Sequence, residues 1–230
     1  MSTADPARAA AQVPDPAGSD PAGVEIVDRA VRLTGSGGRR DLAARLAHTR
    51  RRLLDPTVRV LVVGEFKQGK SLLVNSLVDA PVCPVDDDLA TAVPTLVRFA
   101  PEPSVVLVGD DEHQRRSVPI GQLAQHVSEA GNPGNRERLR YAEVGVPRTV
   151  LSGGLCLVDT PGVGGLDSAH GASTLAVLPT ADAVILVSDA AQEYTGPELD
   201  FLRQAMKMCP NVLCVLTKTD LYPQWRRIAE

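Results

Sequence analysis

The segment Gly64-Glu65-Phe66-Lys67-Gln68-Gly69-Lys70-Ser71 fits the pattern G-x-x-x-x-G-K-[ST]. Glycine at positions 64 and 69 lets backbone N–H groups turn inward around an anion, and a helix starting there adds its positive end. Lys70 is then placed to reach the outer phosphates, and the Ser71 hydroxyl is a ligand for Mg²⁺. The candidate nucleotide-binding stretch runs from Gly64 through Leu72. A second pattern, D-x-x-G, is met by Asp159-Thr160-Pro161-Gly162. A carboxylate at a strand end holds the metal through water, and the Gly162 N–H senses the terminal phosphate. The third is Thr217-Lys218-Thr219-Asp220. There Asp220 accepts both hydrogens of a guanine edge, for which adenine has no equivalent donor pair, and the Lys218 stem packs over the base. The three in this order, each after a strand, predict binding of a guanine nucleotide together with Mg²⁺ as cofactor. Only four lysines occur, at 67, 70, 207 and 218, against twenty arginines. Three of the four lie in these motifs, where a compact ammonium suits phosphates better than a guanidinium fork.

Strands and helices must bring these segments together. Near-continuous apolar runs such as Val60-Leu61-Val62-Val63 and Val184-Ile185-Leu186-Val187 suit strands buried on both faces. Strands are predicted at Val58–Val63, Thr95–Phe99, Val105–Val108, Tyr141–Val146, Leu155–Val158, Ala183–Ser188 and Val212–Leu216. Helices are predicted at about Lys70–Val78, Pro119–Ala130, Ser173–Leu178, Gly196–Met208 and from Pro223 onward. The expected fold is α/β: a P-loop domain with a mostly parallel, three-layer sheet. It occupies residues 56–230 and is incomplete at its C-terminus, because only ten residues follow Asp220. The strand Val212–Leu216 thereby loses an outer neighbour. Residues 24–55 are expected to form two helices. The first carries Val24, Val27, Ala30 and Val31 at helical spacing; the second carries Leu42, Leu46 and Leu53. Residues 1–23, rich in Ala, Pro, Asp and Gly, are expected to be a disordered tail.

Composition narrows the function classes. There are 24 basic and 28 acidic side chains, a net charge of −4, with 43% hydrophobic and 3% aromatic residues. A real core is affordable, and no basic stripe with interleaved rings exists to stack on bases, so nucleic acid is not an expected partner. No apolar run approaches the ~20 residues that span a bilayer, and the start of the chain lacks the order of a secretory signal. A cytoplasmic location follows, with Cys83, Cys156, Cys209 and Cys214 as reduced thiols. The arginines between Arg39 and Arg52 read as a solvated helix face.

The motifs together resemble the dynamin superfamily, and within it the bacterial dynamin-like proteins of the isoniazid-inducible type. The resemblance rests on residues 64–77, on the segment Pro84 through Thr91 to Pro94, and on Val144-Gly145-Val146-Pro147. Residues 157–165, 181–184 and 217–220 complete it. It implies a GTPase head that hydrolyses GTP, self-associates through its nucleotide face and remodels membranes. Lipid contact would be made by chain beyond Glu230, at the inner face of the cell membrane. Thr91 then corresponds to the switch threonine that ligates Mg²⁺ and orients the attacking water, in preference to Thr95, which begins a strand. Asp86, Asp87 and Asp88 in the same loop read as solvated. Val163 follows D-x-x-G where Ras-like proteins carry a water-orienting glutamine. Phe66 and Lys67 stand where eukaryotic dynamins carry glutamine and serine. Lys67 could set its ammonium near the bridging oxygen, replacing a monovalent cation or an arginine finger. The expected catalytic set is Lys67, Lys70, Thr91 and Gly162, and the metal ligands are Ser71, Thr91 and Asp159. Two other functions remain open: a soluble regulatory switch acting on a protein or ribosome, and a GTP-binding subunit without hydrolysis in a hetero-oligomer.

Overall fold

Alternation along β1 (Val58–Val63) decides the layering of the main domain. Leu61 and Val63 point to one face of the sheet and Val62 to the other, all fully buried. A computed structural model describes residues 21–36, 39–54, 57–85, 90–111, 114–162, 174, 177–209 and 211–230. Residues 1–20 of the expected tail, Asp86 to Asp88, Val163 and half of the helix expected at 173–178 fall outside these, while Pro21 to Gly23, expected in the tail, instead open a helix. The described chain divides into a helical pair and a sheet domain that begins at Val58.

In the helical pair, α1 (Pro21–Ser36) and α2 (Arg40–Leu54) pack on each other. Arg50 bridges to Asp28 at 2.6 Å. No helix among the described residues is long and apolar enough to cross a membrane.

The sheet domain continues with α3 (Lys70–Val78), β2 (Thr95–Phe99), β3 (Ser104–Gly109), β4 (Arg115–Ser117) and α4 (Leu123–Val127). After these come β5 (Leu139–Val146), β6 (Leu155–Asp159), β7 (Ala183–Asp189), α5 (Gly196–Met208), β8 (Val212–Thr217) and α6 (Trp225–Ala229). The eight strands form one sheet in the order β4-β3-β5-β2-β6-β1-β7-β8. The run β6-β1-β7-β8 is parallel, as is β2 with β5. Strand β2 is antiparallel to β6, and β3 is antiparallel to β4 and β5. On one face Val62 packs with Val74 and Val78 of α3 and with Leu123 and Val127 of α4. On the other, Leu61 and Val63 meet Phe201 and Ala205 of α5. The helix layers therefore cover both faces, which is what double-sided apolar strands require.

Two elements differ from the expectation. The helix predicted at Pro119–Ala130 is a 3-10 turn, Ile120–Gln122, followed by the short α4. It stops at Val127 because that carbonyl accepts the N–H groups of Ala92 and Val93, while Glu129 N–H donates to Ala90 O. Tertiary pairing thus replaces the next helical turn. Strand β4 was not expected, since its residues are all exposed and carry no apolar signal.

The C-terminal end of α3 is tied to the turn after it by one side chain. Asn75 Oδ1 accepts from Val82 N (3.0 Å) and Cys83 N (2.7 Å), and Nδ2 donates to Cys83 O (2.8 Å). Asn75→Ala removes the partner of Cys83 N and Cys83 O near a buried turn and leaves Val82 N only its bond to Ala80 O. It should lower stability by about 2–3 kcal/mol, read as a lower urea midpoint at unchanged slope; a loss below about 0.5 kcal/mol would contradict the tie.

Candidate functional site

Parallel alignment of β6, β1, β7 and β8 brings their carboxyl ends to one edge of the sheet, where open α/β sheets place ligands. The phosphate-loop segment lies there between β1 and α3. Gly64 (φ +151°) approaches β7 so closely that a Cβ would lie 2.2 Å from Val187 O, so no other residue fits without moving the strand. Gly69 (φ +89°) leads into α3. Thr217 Oγ1 at the end of β8 donates to Gln68 O (2.7 Å), fastening the far end of the loop.

A cavity of about 510 Å³ opens at this edge, lined by Phe66, Lys67, Gly69, Lys70, Ser71, Leu72, Pro84, Val85, Thr91, Gly162 and Lys218. All three sequence motifs therefore contribute to a single hollow. Lys70 is only 6% exposed, and its Nζ donates to Glu65 O at 2.7 Å. Burial lowers its pKa, with the charges of Asp159 and Glu65 opposing that shift. Lys67 is left-handed (φ +61°), and its ammonium lies 5.3 Å from the centre of the Phe66 ring at the cavity rim. Gly162 lies against the loop, where a Cβ would be 2.9 Å from Phe66 N. Thr160 Oγ1 donates to Val62 O (2.9 Å), fixing the turn after β6.

Asp159 sits below the cavity floor, fully buried, and accepts from Ser71 Oγ at 2.7 Å. Its Oδ1 has no hydrogen-bond partner among the described residues. Burial pushes the carboxyl up to about 6, against the Ser71 hydrogen bond, the Lys70 charge and the nearby Cys83 thiol, which pull it down. Burial in turn drives the Cys83 thiol well above its ordinary range. Thr91 lines the cavity and is held by a backbone bridge to Ser128 after α4. Thr95 is fully buried and lies opposite Asp159 in the β2–β6 ladder. Of the two threonines only Thr91 reaches the hollow.

The donor set suits Mg²⁺. Hydroxyls of Ser71 and Thr91 and an underused carboxylate oxygen are hard ligands, and such an ion keeps most of its sphere for phosphate and water. Accordingly, no group of three or more His, Cys, Asp or Glu side chains among the described residues is arranged to hold a metal alone. At the base end, Lys218 (φ +55°) lines the cavity, with Nζ 2.9 Å from Asp189 Oδ2. Asp220 is exposed and lies outside the lining.

Sequence reasoning overlooked Asp189, Thr195 and Glu198. The last two form a capping box at the start of α5, with Glu198 at its third position. The signal was legible as T-x-x-E before an apolar run, yet nothing in it announces a contact with the phosphate loop.

A phosphate loop between β1 and α3, with the D-x-x-G and T-K-x-D turns at the neighbouring strand ends, defines a P-loop GTPase domain. Within that class the chain matches the Dynamin family over residues 60–219 and belongs to it. It is 46% identical over 209 residues to the isoniazid-induced protein IniA of Mycobacterium tuberculosis, covering 89% of this chain and 32% of that protein. It is 28% identical over 160 residues to the bacterial dynamin-like protein of Nostoc punctiforme, covering 65% and 23%. A solved structure of an oligomerised bacterial dynamin pair, described as a mechanism for long-range sensing and tethering of membranes, shares the fold. Its TM-score is 0.60 at 22% identity, with 82% of this chain and 30% of that one covered. The chain spans about a third or less of the length of these relatives.

Because the folded pKa of Asp159 is raised to about 6, the carboxylate needed beside a cation is lost as pH falls through that value. Mg²⁺-dependent GTP affinity should fall by up to about tenfold per unit below pH 6. Asp159→Asn should bind weakly and lack this component. Calorimetry from pH 5 to 7.5, taken as the difference between the two proteins to cancel titration of the nucleotide, checks it; parallel profiles would contradict the assignment.

Proposed function

We propose that this chain is the GTP-binding and hydrolysing head of a dynamin-like protein, converting GTP to GDP and phosphate. The observation that carries the reading is the convergence of Lys70, Ser71, Thr91, Gly162 and Lys218 on one cavity. Nucleotide phosphates would lie along residues 64–72, where the Lys70 ammonium, already dehydrated by burial, gains an anionic partner. Ser71 and Thr91 would hold Mg²⁺, with Asp159 acting through water. The ion, when bound, offsets charge on the phosphate oxygens.

Thr91 orients the attacking water. Oxygen of that water bonds to the terminal phosphorus, the bond to the bridging oxygen breaks, and GDP leaves with the electron pair while both protons of the water end on the released phosphate, as dihydrogen phosphate. The Gly162 N–H holds the terminal phosphate. Lys67 supplies positive charge to the bridging oxygen, since the glutamine–serine pair of eukaryotic dynamins is replaced by Phe66 and Lys67. Thr217, Lys218 and Asp220 select guanine, with Asp220 turning inward when the base arrives.

Hydrolysis would be coupled to self-association through the nucleotide face and to membrane remodelling at the cytoplasmic side of the cell membrane. Lipid contact belongs to chain outside these 230 residues, and residues 24–55 act as a helical neck. Membership of the Dynamin family supports this assignment.

Turnover on the intact protein, with and without anionic liposomes, tests the whole reading. GTP hydrolysis that rises with liposomes is expected, and Lys70→Ala should weaken GTP binding by about a hundredfold or more. Turnover indifferent to lipid would favour a soluble switch, and absent turnover with tight binding a non-hydrolysing subunit. Asp220→Asn should shift preference from guanine to xanthine nucleotides by about tenfold or more, because an acceptor facing the base becomes a donor. Competition binding with XTP and GTP reads this, and an unchanged preference would remove Asp220 from the base site.

A further inference from the structure

Gln68 and Glu198 meet in a buried contact far apart in the chain. Gln68 is 7% exposed and Glu198 is 1% exposed. Gln68 Nε2 donates to Glu198 Oε1 at 3.0 Å, and Gln68 Oε1 accepts from the backbone N–H of Glu65 at 3.2 Å. The amide orientation is fixed by its neighbours: the Glu65 N–H can only donate, and a carboxylate can only accept. Glu198 Oε2 accepts from Thr195 N at 2.8 Å. The Thr195 hydroxyl lies within reach of both Glu198 Oε2 (2.9 Å) and Glu65 Oε1 (3.1 Å).

Every acceptor of the Glu198 carboxylate is therefore engaged either with its own helix cap or with the phosphate loop. An ordinary capping glutamate lies at the surface. This one is enclosed, and the desolvation of a carboxylate is costly unless its hydrogen bonds are made. Gln68 meets that requirement, and in doing so it holds the second residue of the loop, Glu65, against the fifth. The carbonyl of the same residue accepts from Lys70 Nζ, so the tether, on the Glu65 N–H, and the phosphate-facing lysine, on the Glu65 carbonyl, act on one residue of the loop.

We propose that Glu198 is a positioning residue for phosphate binding: through Gln68 it fixes the curvature of the phosphate loop, and with Thr195 it couples that loop to the turn between β7 and α5. Nucleotide affinity then depends on a carboxylate that touches no nucleotide. The inference rests on the phosphate-loop reading above.

The test measures GTP affinity by calorimetry on the intact protein, alongside thermal midpoints, for Gln68→Met, Glu198→Gln and the double variant. Glu198→Gln retains the helix cap but sets an amide donor against Gln68 Nε2. Gln68→Met leaves the cap untouched and carries the test by itself should the other variant not fold. Each single change should weaken GTP binding by about tenfold. The pair should also cost about tenfold rather than a hundredfold, because the second change breaks a tether already cut. Phe201→Leu, in the core under α5, should lower the thermal midpoint while GTP affinity stays within about twofold, separating positioning from general destabilisation. Single variants within about twofold of the parent, multiplicative losses in the double variant, or an equal affinity loss in Phe201→Leu would overturn the proposal. Lys70→Ala distinguishes the two levels of failure. If it too keeps full affinity, the phosphate-loop reading is wrong; if it loses affinity while Glu198→Gln does not, only the tether is.

Discussion

The approach of Gly64 to the Val187 carbonyl governs the site. Strands β1 and β7 are neighbours in a parallel ladder, and the chain leaving β1 must turn immediately at the point where β7 is still passing. A side chain at position 64 would collide with the β7 backbone. The turn is consequently made by glycine, and the loop is held on its β7–β8 flank, by the close approach of the β7 backbone and by Thr217 at the end of β8. From this position α3 begins with Lys70 and Ser71 facing the hollow. The direction of β6 adds Asp159 at the level of Val62. The reversed direction of β2 then brings Thr91 to the same edge from its amino end.

A site built this way carries buried charge before any nucleotide is present. Lys70 and Asp159 are both desolvated, and each is shifted toward its neutral form by burial while the other's charge opposes that shift. Among the described residues neither is fully compensated, since the lysine donates to a single carbonyl and one carboxylate oxygen has no hydrogen-bond partner. An anionic phosphate chain and a hard cation complement these two deficits in sign and position. Stability withheld in the empty protein is thereby available as binding energy.

Among the described residues, the segment carrying Thr91 is held by backbone pairing and by burial of Ala92 and Val93 in the core. Ala90, Ala92 and Val93 exchange hydrogen bonds with the end of α4, and the turn ahead of it is anchored through Asn75 to α3. The phosphate loop has side-chain fasteners instead, from Thr217, Thr195 and Glu198. This contrast suits a rigid cradle beside a segment that responds to what the cradle holds.

The main strands and the helices Lys70–Val78 and Gly196–Met208 were legible because apolar runs and glycine breaks are local signals, and the three motifs were legible because phosphate and base chemistry demands particular residues at short spacing. Strand β4 left no such mark: Arg115 to Ser117 are exposed, and only an edge pairing with β3 makes them a strand. The early end of α4 was equally hidden, since it depends on the backbone of Ala90 to Val93, distant in sequence. Residue chemistry by itself determined which side chains and turns the three motifs supply to the hollow. The tertiary structure decided which carboxylates surround it, placing Glu198 under the phosphate loop and Asp189 beside Lys218, because burial and pairing across more than a hundred residues, or between neighbouring strand ends, have no spacing that a linear pattern can register.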